Sequence, residues 1–328
     1  MSPATHPVAA FAVVNPVHRG AARARRALQR RAAASGLALT VLETTRADPG
    51  PGQARRALDA GAEVVVAVGG DGTVRLVAGA VAGSGVPLGI VPTGTANLFA
   101  RNLGLRPWAL ESNVATALSG TPHACDLGWS RHRRGAEWSA EEPFCVVAGI
   151  GHDAATVLAT RHGLKRRLRW MAYLIAGARH LRRPPIDMHV AADGRPGRDV
   201  ATWCVLAGNC GRLPGGIVVF PDARPDDGVL DTLVMPLTRW WQWAGVAAKG
   251  VLHLKRDVRA LSYGRAHDLI VRPASPQPLH LDGDAVEAVD EARWRVAASA
   301  LLVNLRRDGD EAGDLPGRDL AGVPGLTA

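Results

Sequence analysis

Val64-Val65-Val66-Ala67-Val68 is an unbroken apolar run that passes directly into Gly69-Gly70-Asp71-Gly72-Thr73 and then into a helical pattern. A strand without a polar face must be covered on both sides, as in a parallel sheet layered between helices. The same grammar repeats through the first third of the chain. Apolar runs Ala9–Val14, Leu39–Leu42, Val64–Val68 and Leu88–Val91 alternate with helical stretches Ala21–Ser35, Gln53–Ala60, Val74–Ala82 and Ala96–Leu103. That alternation predicts βαβ units and a parallel sheet. After Cys125-Asp126-Leu127 the pattern changes. Short strand-like runs now dominate: Phe144–Ala148, Met188–Ala191, Ala201–Ala207, Val229–Val234, Leu269–Val271, Leu279–Leu281 and Arg293–Val296. They predict an antiparallel, sandwich-like second domain, interrupted by helical stretches at Thr156–Arg183 and Arg239–Lys255. A Gly-, Asp- and Pro-rich end from Arg307 reads as a mobile tail.

The chemistry concentrates in the loops of the first domain. The Gly69–Thr73 loop can approach a ligand with its backbone, and its N–H groups with those of the following helix make an anion cradle. Asp71 puts a carboxylate at the same spot, which suits phosphates bridged by a cation such as Mg²⁺. The plainer alternative is a tight turn with Asp71 as a helix cap. In chain order the Gly69–Thr73 loop is the second of three such loops: Asn15-Pro16-Val17-His18-Arg19-Gly20 follows the first apolar run, and a third loop, Pro92-Thr93-Gly94-Thr95-Ala96-Asn97, follows the run after Gly69–Thr73. In a parallel sheet all three open at the carboxyl edge, where ligands bind.

These loops carry a resemblance. The chain is similar to the bacterial diacylglycerol kinase family, which includes sphingosine-kinase-like and other lipid kinases. The resemblance rests on Asn15-Pro16, Gly69-Gly70-Asp71-Gly72-Thr73 and Pro92-Thr93-Gly94-Thr95-Ala96-Asn97. It continues through Gly149-Ile150-Gly151-His152-Asp153, Pro221-Asp222-Ala223 with Asp226-Asp227-Gly228, and Asp282-Gly283-Asp284. It implies a nucleotide-binding, NAD-kinase-like α/β domain over residues 8–125, rejoined by a return segment at 299–306, and a β-sandwich over 126–298. It also implies ATP and Mg²⁺ as cofactors and a lipid hydroxyl, most simply that of diacylglycerol, as phosphoryl acceptor. Nucleotide contacts fall on Asn15, Pro16, Gly20, Thr44, Gly69, Gly70, Asp71, Gly72, Thr73, Thr93, Gly94, Thr95 and Asn97. Asp71 joins the catalytic Mg²⁺ network and Asp284 stands where the family places its base. Asp227, with backbone oxygens of Arg224 and Val229, matches a structural Mg²⁺ site. Three positions depart from the common pattern: Leu98 replaces a usual acid, His18-Arg19-Gly20 replaces Ser-Gly, and Asp284 replaces Glu.

Other readings compete less well. NAD kinases share the glycine loop, but no Asn here precedes a Glu. A Walker P-loop is missing, and the Thr-x-Asp-x-Asp segment of phosphofructokinases has no counterpart. Gly149-Ile150-Gly151-His152-Asp153-Ala154 mimics a dinucleotide fingerprint, yet the acid expected about 20 residues later is lacking. A kinase of another lipid or soluble alcohol (sphingoid base, polyprenol, NAD) and a nucleotide-binding regulator without catalysis stay open, the last kept alive by Leu98. Charge bears on the partner. The net charge is +9, with a pI near 10.3, and arginine supplies nearly all of it. Arginines flanking Trp170, Met171, Tyr173, Leu174 and Ile175, with Trp240, Trp241 and Trp243, suit an anionic membrane surface; a solvated basic face explains them equally. The chain reads as cytoplasmic and peripheral to the membrane: it lacks a membrane-length apolar run, a secretory leader and paired cysteines. Nucleic acid is not expected, and a homodimer is one option for assembly.

Overall fold

The computed structural model describes residues 8–155, 183–213, 217–236 and 261–306. The chain divides into two compact units, Met1–His123 with Leu302–Ala328, and Ala124–Leu301. The expected helices within 156–183 and 239–255, their tryptophans, and the tail from residue 307 lie outside the described residues, apart from Arg183.

The first unit alternates strands and helices: β1 (Ala9–Val14), α1 (Ala21–Ala34), β2 (Ala38–Glu43), α2 (Pro51–Asp59), β3 (Val64–Gly69), α3 (Asp71–Val81), β4 (Leu88–Pro92), α4 (Leu98–Asn102) and α5 (Leu110–Ser119). Its strands lie parallel in the order β4-β3-β1-β2. Every residue of β3 and β4 is buried, while edge strand β2 is partly exposed. Register places the loops. Val14 pairs with Val68, Val68 with Val91 and Gly69 with Pro92, so the three loops leave the sheet side by side. Helix α1 buries Ala21, Ala24, Ala27, Leu28 and Ala32 against the sheet; the small residues let the helix come close.

Helix boundaries differ from the sequence expectation by up to three residues. Helix α3 begins at Asp71, three residues early, because the glycine motif itself supplies the helix start. Helix α4 is shortened to Leu98–Asn102. Asn97 takes a left-handed φ of 48° ahead of it, and Gly104 a φ of 78° soon after it, conformations that interrupt a right-handed helix. Helix α5 was not expected. Its Ala117 backbone oxygen sits where a Cβ on Gly89 of β4 would be.

The second unit is built on β5 (Thr121–Arg134), β6 (Glu137–Trp138), β7 (Glu142–Phe144), β8 (Val147–Gly151), β9 (Ile186–Ala192), β10 (Arg198–Thr202), β11 (Cys204–Gly208), β12 (Leu230–Val234), β13 (Ser262–Ala266), β14 (Asp268–Pro273), β15 (Gln277–Leu281), β16 (Asp284–Val289) and β17 (Glu291–Leu305). One sheet runs β10-β9-β14-β17, with β5 beside β17 and β6 and β7 on β5; the other runs β13-β12-β11-β8-β15-β16. The core joins both: Ala148, Ile150, Val205, Ala207 and Leu279 pack with Met188, Leu269, Val271, Ala292 and Trp294. This is the expected sandwich. The expected run Ala201–Ala207 breaks at Trp203 into β10 and β11, which belong to different sheets. Phe144–Ala148 likewise divides into β7 and β8. An apolar run records burial but not which sheet buries it. The end of β17 returns to the first unit, where Val303 pairs in parallel with Leu88 and Asn304 donates to the Ala117 carbonyl at 2.9 Å. Among the described residues no helix is long and apolar enough to cross a membrane.

Candidate active site

The three loops of the first unit knit into one surface. The Asn15 backbone N–H donates to Val68 O at 2.9 Å, and its side-chain amide donates to Thr73 Oγ1 at 3.0 Å. Asn15 Oδ1 accepts the Val17 N–H at 3.2 Å, which rounds the turn after Pro16. The Thr93 N–H donates to Gly69 O at 2.8 Å. A Cβ on Gly70 would stand 3.2 Å from the His18 imidazole, and one on Gly94 would meet the Gly70 Cα at 2.5 Å. These glycines are therefore needed for close approach of backbone to backbone. Gly20 sits against Thr93, so the first loop touches both others.

Asp71 is the junction. Half-buried at the first position of α3, it accepts the Asn97 N–H at 2.9 Å on Oδ2 and the Leu98 N–H on Oδ1. Asn97 locks the third loop in turn: its Oδ1 accepts the Gly94 N–H at 3.0 Å and its amide donates to Gly94 O at 2.9 Å. The Asp71 carboxylate thus ties the second loop to the start of α4. A carboxylate oxygen carries two lone pairs, so a group that accepts N–H donors can meet a cation as well. Leu98, in place of the usual acid, is buried beside it. The first N–H groups of α3 have no acceptor within the helix, the condition for holding an anion. Thr95 is exposed. Thr93 is half-buried, and its Oγ1 has no hydrogen-bond partner among the described residues. Thr44 is buried at the end of β2, its N–H on Val14 O. A cavity beside it is lined by Val14, Pro16, Ala21, Ala22, Arg25 and Glu43, the last pair joined at 2.8 Å. Sequence reasoning missed Arg25 and Glu43, whose significance comes only from strand register. It also missed Arg75, a buried guanidinium one turn beyond Asp71.

The second unit holds two further groups of expected residues. Asp284 opens β16, paired with Leu281 across a two-residue turn in which Asp282 and Gly283 have φ of 49° and 83°. Asp227 is half-buried, its Oδ1 accepting the Val229 N–H at 3.4 Å. The Arg224 guanidinium is turned onto Asp226 at 3.1 and 3.2 Å; a guanidinium has no acceptor, so only the backbone oxygen of Arg224 could serve as a ligand. Nearby, buried Asp126 accepts the N–H groups of Gly228 at 2.6 Å and Ser299 at 2.7 Å. Burial pushes the Asp227 carboxyl up, and the Asp126 charge adds to that. Asp231 is pushed up to about 6, mainly by burial and despite Arg265; its Oδ2 has no hydrogen-bond partner among the described residues. Crowded, under-compensated carboxylate oxygens fit a hard cation such as Mg²⁺. No three acidic, His or Cys side chains among the described residues converge as a metal cage, so an ion at Asp227 would depend on backbone oxygens.

The motif around Gly149 has a different explanation from a dinucleotide site. Asp153 folds back over Gly149 to meet His280 Nε2 at 2.8 Å, both side chains buried, and a Cβ on Gly149 would collide with that pair. The four cysteines are free and buried, and burial pushes the Cys125 thiol up to about 12, so they are unreactive thiols.

Residues 9–130 match the model of the diacylglycerol kinase catalytic domain, and residues 145–242 that of the YegS C-terminal NAD kinase beta sandwich-like domain. The chain is 33% identical over 252 residues to the "Probable lipid kinase YegS-like" of Stenotrophomonas maltophilia, covering 71% of this chain and 75% of that one. It is 34% identical over 267 residues to the protein of the same name from Pseudomonas aeruginosa, covering 77% and 82%. Identity to the diacylglycerol kinase of Mycobacterium tuberculosis is 32% over 179 residues, covering 52% and 54%. The crystal structure of a diacylglycerol kinase from Bacillus anthracis has the same fold, with a TM-score of 0.65 at 18% identity, covering 91% and 97%. With the glycine loops, the sandwich and the returning strand all in place, the chain belongs to the diacylglycerol kinase catalytic-domain family of lipid kinases, phosphotransferases with an alcohol acceptor.

Proposed function

We propose that this protein is an ATP- and Mg²⁺-dependent kinase that moves the γ-phosphoryl group to the hydroxyl of diacylglycerol. The observation that carries the reading is the convergence of the other two loops on Gly69–Thr73, which holds Asp71 at a helix start suited to holding an anion. Relatives named as lipid and diacylglycerol kinases support the acceptor class. In this reading Asn15, Pro16, Gly20, Thr44, Gly69–Thr73, Thr93, Gly94, Thr95 and Asn97 bind and orient the nucleotide. Mg²⁺, when bound, neutralises phosphate charge; Asp71 would hold it at the reaction, and Asp227 with the Arg224 and Val229 backbone oxygens would hold a structural ion. Asp284 takes the proton of the acceptor hydroxyl as that oxygen bonds to the γ-phosphorus. The bond from phosphorus to the β–γ bridging oxygen breaks, and its electrons leave with ADP. Phosphoryl transfer asks for placement and charge neutralisation more than for covalent help from the protein, and a fixed carboxylate beside a weak alcohol nucleophile meets the remaining need.

The test is to incubate the protein with labelled ATP and a total bacterial lipid extract, then identify the labelled species in wild type and Asp284→Asn. Labelled phosphatidic acid, lost with a kcat lower by about 10²–10⁴ in the variant at unchanged ATP affinity, is the expected result. Another labelled lipid would replace the acceptor, and ATP binding without turnover would turn the reading into a regulator.

A further inference from the structure

Asp282 and Asp284 flank the same glycine and look equivalent in sequence, yet the fold gives them different surroundings. The Asp282 carboxylate accepts three backbone N–H groups from the segment entering β8: Cys145 at 2.7 Å on one oxygen, Val146 at 2.9 Å and Val147 at 2.8 Å on the other. Its own N–H donates to Val147 O at 2.9 Å. Asp282 is thereby fastened to the neighbouring strand by four hydrogen bonds, both carboxylate oxygens included.

We infer that Asp282 is the positioning residue for Asp284. The inference rests on the proposed role of Asp284 as base. Asp284 begins β16, the edge strand of its sheet, which pairs on one side only, with β15. The β15–β16 register shifts between Gln277 and Leu279, so the far end of the hairpin is a poor reference for Asp284. The near end is well fixed. The two turn residues hold left-handed φ values, Leu281 pairs with both Asp284 and Ala148, and Asp282 clamps the turn onto the start of β8. One step back along β15, the buried His280–Asp153 contact at 2.8 Å pins the same strand over Gly149. A catalytic carboxylate displaced by about 1 Å can lose about 10²-fold in rate, and the Asp282 clamp governs that displacement.

A double-mutant cycle separates positioning from mere structure. Turnover of diacylglycerol in mixed micelles, ATP KM and thermal midpoint are measured for wild type, Asp282→Asn, Asp284→Asn and the double variant. Asparagine tolerates the left-handed turn but cannot accept all three N–H groups. Asp282→Asn is expected to lower kcat by about 10²-fold with ATP KM within about three-fold. In the Asp284→Asn background the same change should alter the residual turnover by less than about three-fold. An equal loss in both backgrounds, or an Asp282→Asn kcat near that of wild type, overturns the inference while leaving the base intact. An Asp284→Asn enzyme with wild-type turnover overturns the base itself, and the positioning role with it. Should Asp282→Asn fail to fold, Gly283→Ala takes its place in the cycle. Its Cβ meets nothing within 4 Å but must bear a φ of 83°, and the same coupling to Asp284 is expected.

Discussion

Replacing Asp71 by Asn tests the junction at the centre of the first unit. The carboxylate accepts two backbone N–H groups, from Asn97 and Leu98. Hydrogen bonds to a charged acceptor contribute about 1.5–3 kcal/mol each. Asparagine retains one carbonyl acceptor and turns an NH₂ donor toward the other N–H, so roughly one such bond is lost. A loss of about 1.5–3 kcal/mol lowers the thermal midpoint of a unit of this size by about 4–10 °C. The third loop and α4 will loosen in the variant, since both are tethered through Asp71. Circular-dichroism melts give the stability change, calorimetry the ATP affinity and a labelled-ATP assay the turnover. A midpoint within about 1 °C of wild type would refute the tethering argument, because it would show that the two N–H groups lose nothing when their acceptor changes. A lowered midpoint with near-wild-type turnover at saturating Mg²⁺ would keep the tether and remove Asp71 from the metal network.

Three other perturbations have defined outcomes. The folded-state pKa of Asp231, raised to about 6, lies above its unfolded value, so the folded state binds the extra proton and stability falls as pH rises from about 4 to about 6; Asp231→Asn should be more stable than wild type at pH 7 by about 1–3 kcal/mol and equal to it near pH 4, and equal stability at both pH values would contradict this. Gly149→Ala should destabilise by about 1–3 kcal/mol by displacing the Asp153–His280 pair, read as a lower denaturant midpoint; an unchanged midpoint would mean that the pair moves aside freely. Vesicles containing anionic lipid should sediment the protein, less so as salt rises, because the positive charge of the chain is screened over about 8–10 Å; equal binding to neutral vesicles would return the arginines around Trp170–Ile175 to a solvated face.

The sequence alone determined the alternation of the first unit, because strands buried on both faces must be continuously apolar and Val64–Val68 and Leu88–Val91 are. It also marked Gly69–Thr73 as the turn between a buried strand and a helix start, a local property of glycines after an apolar run. Besides shifted helix ends, it misplaced elements in two ways. The Ala201–Ala207 run spans a change of sheet at Trp203, which composition does not mark. Helix α5 was overlooked although its buried face includes Asn113, Val114, Thr116, Ala117 and Leu118, a mixture of polar and apolar residues that weakens the periodic signal. Only the tertiary structure decided which backbone groups each acid meets. Asp71, Asp282 and Asp284 are the same residue type beside glycines, and Asp126 is the same type within β5. Asp282 meets three N–H groups contributed by residues more than 130 positions away, and Asp126 meets Ser299 across 173 positions. A carboxylate's role depends on which donors and charges surround it, and those neighbours are assembled by strand pairing between distant segments, which no local window of sequence contains.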